Sequence, residues 1–218
     1  MRRLLFLLIT TLIVSVNSSA QDVKNIIFLI GDGMGLSAAS MMQIENNYEP
    51  TIFDLADNVV LTKTYSTNNR VTDSAAAGTA LATGHKTKNS TLGLLPDLKT
   101  EVSSIAVKAQ KAGARVGIAT SVSIDHATPA AFYAHVPSRD SRYEIGKQLI
   151  SAGFDFYAGS DFDRPTNRKA PEEGTLYEQS EKAGYTIVRG YKEYQKKARK
   201  ADKYIYTREN TKTFPDVW

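Results

Sequence analysis

The run Ile26-Ile27-Phe28-Leu29-Ile30, followed at once by Gly31-Asp32-Gly33-Met34-Gly35, decides how the chain reads. Five consecutive apolar residues have the length of a strand buried on both faces, and the glycines that break the run allow a tight turn. The pairing predicts a buried parallel strand with one carboxylate, Asp32, at its carboxyl end. Glycine on either side of that acid lets backbone and ligand approach closely, although the same residues also describe an ordinary turn.

Outward from this stretch, helical and strand patterns alternate. Val102, Ile105, Ala106 and Ala109 fall at helical spacing and Gly113 closes the run, after which residues 115–124 read as a strand. Helices over 143–152, 176–183 and 191–200 then alternate with strands over 154–158, 185–188 and 204–207. Residues 161–174 form a polar excursion of loop length, and no linker rich in Pro, Gly or Ser divides the chain. Such alternation predicts an α/β fold with a mostly parallel sheet covered on both faces.

The chain has 218 residues, 42% hydrophobic and 23% charged, which suffices for one sizeable core and excludes a disordered chain or a stapled mini-protein. Its glycines and prolines set no period, so collagen-like and solenoid architectures drop out. Cysteine is absent, which excludes disulfides, thiolate zinc sites and cysteine nucleophiles.

Met1-Arg2-Arg3 is a basic start, residues 4–16 are an apolar run and Ser18-Ser19-Ala20 offers small residues for cleavage. The run is short for a membrane span, so residues 1–20 read as a secretory signal peptide and residues 21–218 as the mature protein. Export to the periplasm or the medium follows, with no membrane association after cleavage. Without Arg2 and Arg3 the charge balance is 25 basic against 23 acidic residues, a net +2, so the basic pI says little about partners. The basic excess sits in residues 163–218, where Tyr191, Lys192, Tyr194, Lys196, Lys197, Arg199, Lys200, Lys203 and Tyr204 interleave. Aromatics among cations can grip single-stranded nucleic acid. A solvated helix with inward-packed tyrosines is the better reading, because Glu193 and Asp202 dilute the patch and no nucleic-acid partner is expected after export.

Ligands in parallel sheets bind beyond the carboxyl ends of the strands, and three further clusters fall there. In Val71-Thr72-Asp73-Ser74-Ala75-Ala76-Ala77-Gly78-Thr79-Ala80 a hydroxyl sits where a small-residue helix begins. Free amides and the positive dipole end suit an anion such as phosphate, while Asp73 or Ser74 serves equally as a plain N-cap. Asp125-His126-Ala127-Thr128-Pro129-Ala130 gathers acid, imidazole and hydroxyl that suit a hard cation, and Arg139 can fork onto phosphate oxygens. Each has an ordinary structural use, and their convergence on the loops of one sheet favours a site.

These motifs, from Asp32 through Ser74 and Thr128 to Arg139, resemble in order and spacing the signatures of the alkaline phosphatases. The resemblance runs from about Lys24 to Arg139, and more weakly to Gly190. It implies a three-layer α/β/α fold and metal-dependent hydrolysis of small-molecule phosphate monoesters through a phosphoserine, with zinc and magnesium as cofactors and a possible homodimer. Residue by residue, it implies that Asp32 bridges a zinc and the magnesium, that Ser74 is the nucleophile and a metal ligand, and that Thr128 ligates magnesium. Arg139 matches the catalytic arginine that holds the substrate phosphate, and Asp73 the acid that orients it. His126 stands where family members carry Asp or His in the magnesium shell.

Two departures accompany the match. The chain has only His85, His126 and His135, whereas the family's other metal ligands lie in its second half. The resemblance therefore implies an incomplete fold, the N-terminal part of such an enzyme, inactive by itself. Ala158-Gly159-Ser160-Asp161 is also less regular than the glycine-rich turn common there. Alternatives are a non-catalytic phosphate-binding module and a related phosphodiesterase or sulfatase; a covalent phosphoserine excludes the first, and the Asp73-Ser74-Ala75 context with Arg139 favours monoesters over the second.

Overall fold

The structure, a computed structural model, describes residues 23–208; the signal peptide expected over 1–20 lies outside them. The chain divides into two units, Met1–Gly31 and Asp32–Trp218. In the first unit the described residues form no strand, and Ile26, Ile27 and Leu29 are 84%, 82% and 73% exposed. This corrects the reading of Ile26 to Ile30 as a buried strand. An apolar run supplies the side chains for burial but not the ladder partner that a strand's amides require, and the run has no paired strand among the described residues.

The second unit begins with helix α1 (Leu36–Glu45), followed by α2 (Ser74–Thr83), α3 (Ile105–Lys111), β1 (Gly117–Ala119), α4 (Ala127–Ala130), α5 (Arg142–Ala152), β2 (Phe156–Ala158), α6 (Leu176–Lys182), β3 (Thr186–Arg189), α7 (Gly190–Lys197) and β4 (Tyr204–Thr207). Among the described residues the four strands run parallel in one sheet of order β1-β2-β4-β3. The expected α/β class with a parallel sheet is what forms.

Boundaries follow local chemistry. Thr175 and Glu178 exchange side-chain and backbone hydrogen bonds as a capping box at the start of α6. Gly153 in the left-handed region ends α5. Ser104 caps α3 and its hydroxyl donates to Phe132 O, so Ser104 and Ala106 face the core and Ile105 between them is exposed, contrary to the helical stripe expected of it. The strand expected over 115–124 is regular only at Gly117–Ala119. Its pairing nevertheless continues irregularly, with Thr120 N donating to Ala158 O, Ser160 N to Val122 O and Ile124 N to Asp161 O. This extended seam carries the chain from the sheet to His126.

The core centres on β2 and β4. Tyr157 and Ile205 pair across the sheet, and with Phe154, Ile145, Leu149, Leu176 and Val188 they are fully buried. Burial of each such side chain contributes roughly 2 kcal/mol. The Tyr157 hydroxyl, also buried, donates to Leu149 O at 3.0 Å. On α7, Tyr194 packs against Tyr204 and Tyr206 as the inward-tyrosine reading predicts. Tyr191 does not: it stacks on Tyr194 and is 65% exposed, because Tyr194 already covers the strand tyrosines beneath it.

Helix α1 has no buried residue, and Val59, Val60 and Leu61 are 76%, 86% and 83% exposed. Apolar surface of this extent drives association. The chain is expected to self-associate as concentration rises, and paired Val60→Lys and Leu61→Lys substitutions to weaken this. Light scattering that finds a monomer throughout the accessible range would contradict it. Among the described residues no helix is long and apolar enough to cross a membrane.

Candidate active site

Helix α2 is built from small residues, and this determines what comes near its start. Ala75, Ala76, Gly78, Thr79 and Ala82 are buried, and a Cβ added at Gly78 would lie 2.9 Å from Ala131 Cβ. Nothing larger fits between α2 and the α4 turn. The close approach sets the first residue of α2, Ser74, beside Thr128 of α4.

Both hydroxyls converge on one acid. Ser74 Oγ donates to Asp32 Oδ1 at 3.1 Å, and Thr128 Oγ1 donates to Asp32 Oδ2 at 2.6 Å. Asp32 lies in a turn at Gly33, whose φ of 70° is in the left-handed region. The local glycine pattern was thus legible, while the strand expected to carry it is not formed.

Asp73 is the N-cap of α2, accepting from Ala76 N at 2.9 Å through Oδ1. Its Oδ2 accepts from Ser90 N at 2.8 Å and pairs with Arg139 Nη1 at 3.3 Å. Asp73 is thus the plain N-cap that the sequence offered, and the same carboxylate pairs with Arg139. Asn89 secures it, accepting from Asp73 N and donating to Val71 O. No sequence signal points to Asn89 or Ser90, which lie 16 and 17 residues away.

Arg139 Nη2 lies 3.3 Å from His126 Nε2. Burial first, then the positive charges of Arg142 and Arg139, hold the His126 imidazole below its ordinary pKa, against a smaller opposing effect of Asp32. A neutral ring whose Nε2 accepts from Arg139 carries its proton on Nδ1, which is buried with no hydrogen-bond partner among the described residues. The five expected groups Asp32, Ser74, Thr128, Arg139 and His126 therefore form one neighbourhood with Asp73. His85 and His135 stay outside it, bonded to Thr83 O and Val102 O.

Removing the Asp73 side chain strips the cap, leaves the Ser90 amide without its acceptor and frees Arg139. Asp73→Ala is expected to lower stability by about 1–3 kcal/mol. Asp73→Asn, which still caps, should recover most of that. Equal thermal denaturation midpoints for wild type and Asp73→Ala would remove the cap from this account.

The donor set suits the two expected metals differently. A carboxylate with two hydroxyl oxygens is a hard-oxygen set that fits magnesium. Zinc is not served in the same way: among the described residues no group of three or more His, Cys, Asp or Glu side chains gathers to hold an ion.

Comparison with known proteins bears on this arrangement. Alkaline phosphatase 4 of Drosophila melanogaster is 36% identical over 153 residues, 63% of this chain but 26% of its own length. Alkaline phosphatase 4 of Bacillus subtilis is 38% identical over 137 residues, 59% of this chain and 30% of its length. The chain thus spans under a third of these relatives. Among solved structures, the alkaline phosphatase of the Antarctic bacterium TAB5 superposes with a TM-score of 0.72 at 32% identity, covering 81% of this chain and 51% of that one. Two variants of that enzyme, with histidine changed to aspartate or glutamate, have magnesium bound in the M3 site. The likeness in structure bears out the expected architecture. Residues 23–153, which hold every group described above, match the alkaline phosphatase family, and the chain belongs to that family.

Proposed function

We propose that this chain supplies the nucleophile and the phosphate clamp of a metal-dependent phosphomonoester hydrolase. The observation that carries this reading is the convergence of Ser74 and Thr128 on Asp32, with Ser74 heading a ten-residue helix capped by the partner of Arg139.

Ser74 Oγ attacks phosphorus, an Oγ–P bond forms as the ester P–O bond breaks, and the alcohol departs with a proton. Water then displaces the serine, releasing inorganic phosphate and restoring the hydroxyl. A neutral serine hydroxyl is a poor nucleophile, so its proton must be drawn away as attack proceeds. Asp32 already accepts that hydrogen bond. Arg139 supplies a planar fork for two phosphate oxygens, and the amides at the start of α2 face the same negative charge. Asp73 and His126 hold the fork in place between them.

Magnesium would be held by Asp32 and Thr128, with His126 beside them, and would supply countercharge to the phosphoryl group. No step is assigned to zinc, whose shell the described residues do not complete. The substrate class is phosphate monoesters, because the contacts address phosphate and leave the alcohol unread. Export to the periplasm or medium and pairing into a homodimer accompany this reading as the family's habit.

An enzyme in which residues 23–153 replace the matching segment of the TAB5 phosphatase supplies the rest of such a protein. There Arg139→Ala is expected to raise KM and weaken inhibition by inorganic phosphate about ten- to a hundredfold, as loss of a charged hydrogen-bond pair predicts. Bound metal should stay constant. Unchanged phosphate affinity would place Arg139 off the substrate.

A further inference from the structure

The segment that leads into His126 is tethered at consecutive backbone groups. Ile124 N donates to Asp161 O at 3.0 Å, and Ile124 O accepts from the Tyr133 hydroxyl. Asp125 O accepts from Arg142 Nη1 at 2.8 Å. The Asp125 carboxylate, on a fully buried residue, accepts from Asp163 N at 3.1 and 2.9 Å and from Arg164 N at 3.4 Å. Arg142 joins the two sides, since its Nε lies 3.7 Å from Asp163 Oδ2.

Arg142 is not a solvated surface cation. Its side chain is 13% exposed, against 81% for Arg115. It is also the first residue of α5, a helix anchored in the core by Ile145 and Leu149. The loop after β2 packs tightly on the segment that leads into His126, since a Cβ added at Gly159 would meet Ile124 Cγ2 at 2.6 Å and Val122 O at 2.7 Å. Among the described residues Arg142 makes no hydrogen bond or ion pair with Ser74, Asp32 or Arg139; it reaches the site through the Asp125 carbonyl and through its positive charge on His126.

We propose that Arg142 is a positioning residue: its guanidinium locks the Asp125 carbonyl to the Asp163 loop and so fixes the turn that presents His126 to Arg139. The value of this for phosphate binding rests on the function proposed above, while the lock itself does not. The fork geometry matters, because arginine sets two separate nitrogens toward the two oxygens, whereas lysine has a single nitrogen that would have to reach both. Arg142 is legible in sequence only as a second arginine three residues after Arg139.

The test uses the 218-residue chain, whose three histidines give three ring signals by NMR, with His126→Asn assigning one of them. Arg142→Met keeps the apolar stem and removes the fork. It is expected to displace and broaden the His126 signal while those of His85 and His135 stay. Amide exchange should rise about tenfold or more in residues 122–128 and 159–164, and not in β2 or β4, as a local opening requires. Arg142→Lys should fall between wild type and Arg142→Met. Should Arg142→Met fail to fold, Asp163→Asn cuts only the ion pair and should raise exchange in the same two segments by a smaller factor. The inference is overturned if the His126 signal and local exchange are unchanged. Faster exchange throughout β2 and β4 overturns it as well, since Arg142 would then be an ordinary contributor to stability. Loss or retention of phosphate inhibition by Arg139→Ala in the grafted enzyme judges the phosphate reading separately.

Discussion

Ser74→Ala in the grafted enzyme is expected to abolish the acid-stable phosphoserine formed with labelled substrate and to lower turnover about a thousandfold or more, the usual scale for loss of a nucleophile. The residue heads α2, whose cap is Asp73, and its hydroxyl already donates to Asp32. Alanine preserves the helix, since its neighbours Ala75 and Ala76 are of that size and the cap is Asp73. Folding should therefore be unchanged, and bound metal is measured alongside, because Ser74 Oγ is one of the three oxygens of the donor set. Residual hydrolysis would come from phosphate binding alone. A variant that still labels, or that turns over at the wild-type rate, would take Ser74 out of the mechanism and leave it as the first residue of a helix.

The 218-residue chain by itself is expected to hydrolyse a chromogenic phosphomonoester no faster than buffer and to retain only substoichiometric zinc after dialysis. A catalytic zinc takes about three protein ligands and holds one position open. Among the described residues no cluster of three His, Cys, Asp or Glu side chains exists, and the oxygens around Asp32 suit a hard ion instead. Affinity depends on a preformed set of deprotonated ligands, so weak binding follows from the donor count. Atomic emission on the dialysed protein and a rate measurement with zinc and magnesium present decide the matter. Stoichiometric zinc with turnover that Ser74→Ala removes would show that a full site assembles from these residues.

The two experiments differ in what each exposes. Ser74→Ala asks whether the convergence seen here is chemical. The isolated chain asks whether that convergence is sufficient, and the mismatch between two hard-oxygen hydroxyls and a zinc shell is the reason to expect that it is not.

Residue patterns determined the parts of this protein whose causes are local. Ser74 to Thr83 is a helix of small residues with Asp73 as its cap because side-chain and backbone groups three residues apart satisfy each other. The capping box at Thr175 and the glycine that ends α5 follow for the same reason. Tertiary structure decided whatever depends on a distant partner. Ile26 to Ile30 has a strand's composition and forms none, because a strand is stabilised by its neighbour's amides rather than by its own side chains. Asp32 meets Ser74 and Thr128 across 42 and 96 residues of chain, and those two hydroxyls stand side by side through the packing of Gly78 near Ala131, a contact no local pattern encodes. Arg142 gains its place in the same way, since one arginine among many becomes a lock only where β2's loop and the His126 turn are laid side by side by the parallel sheet.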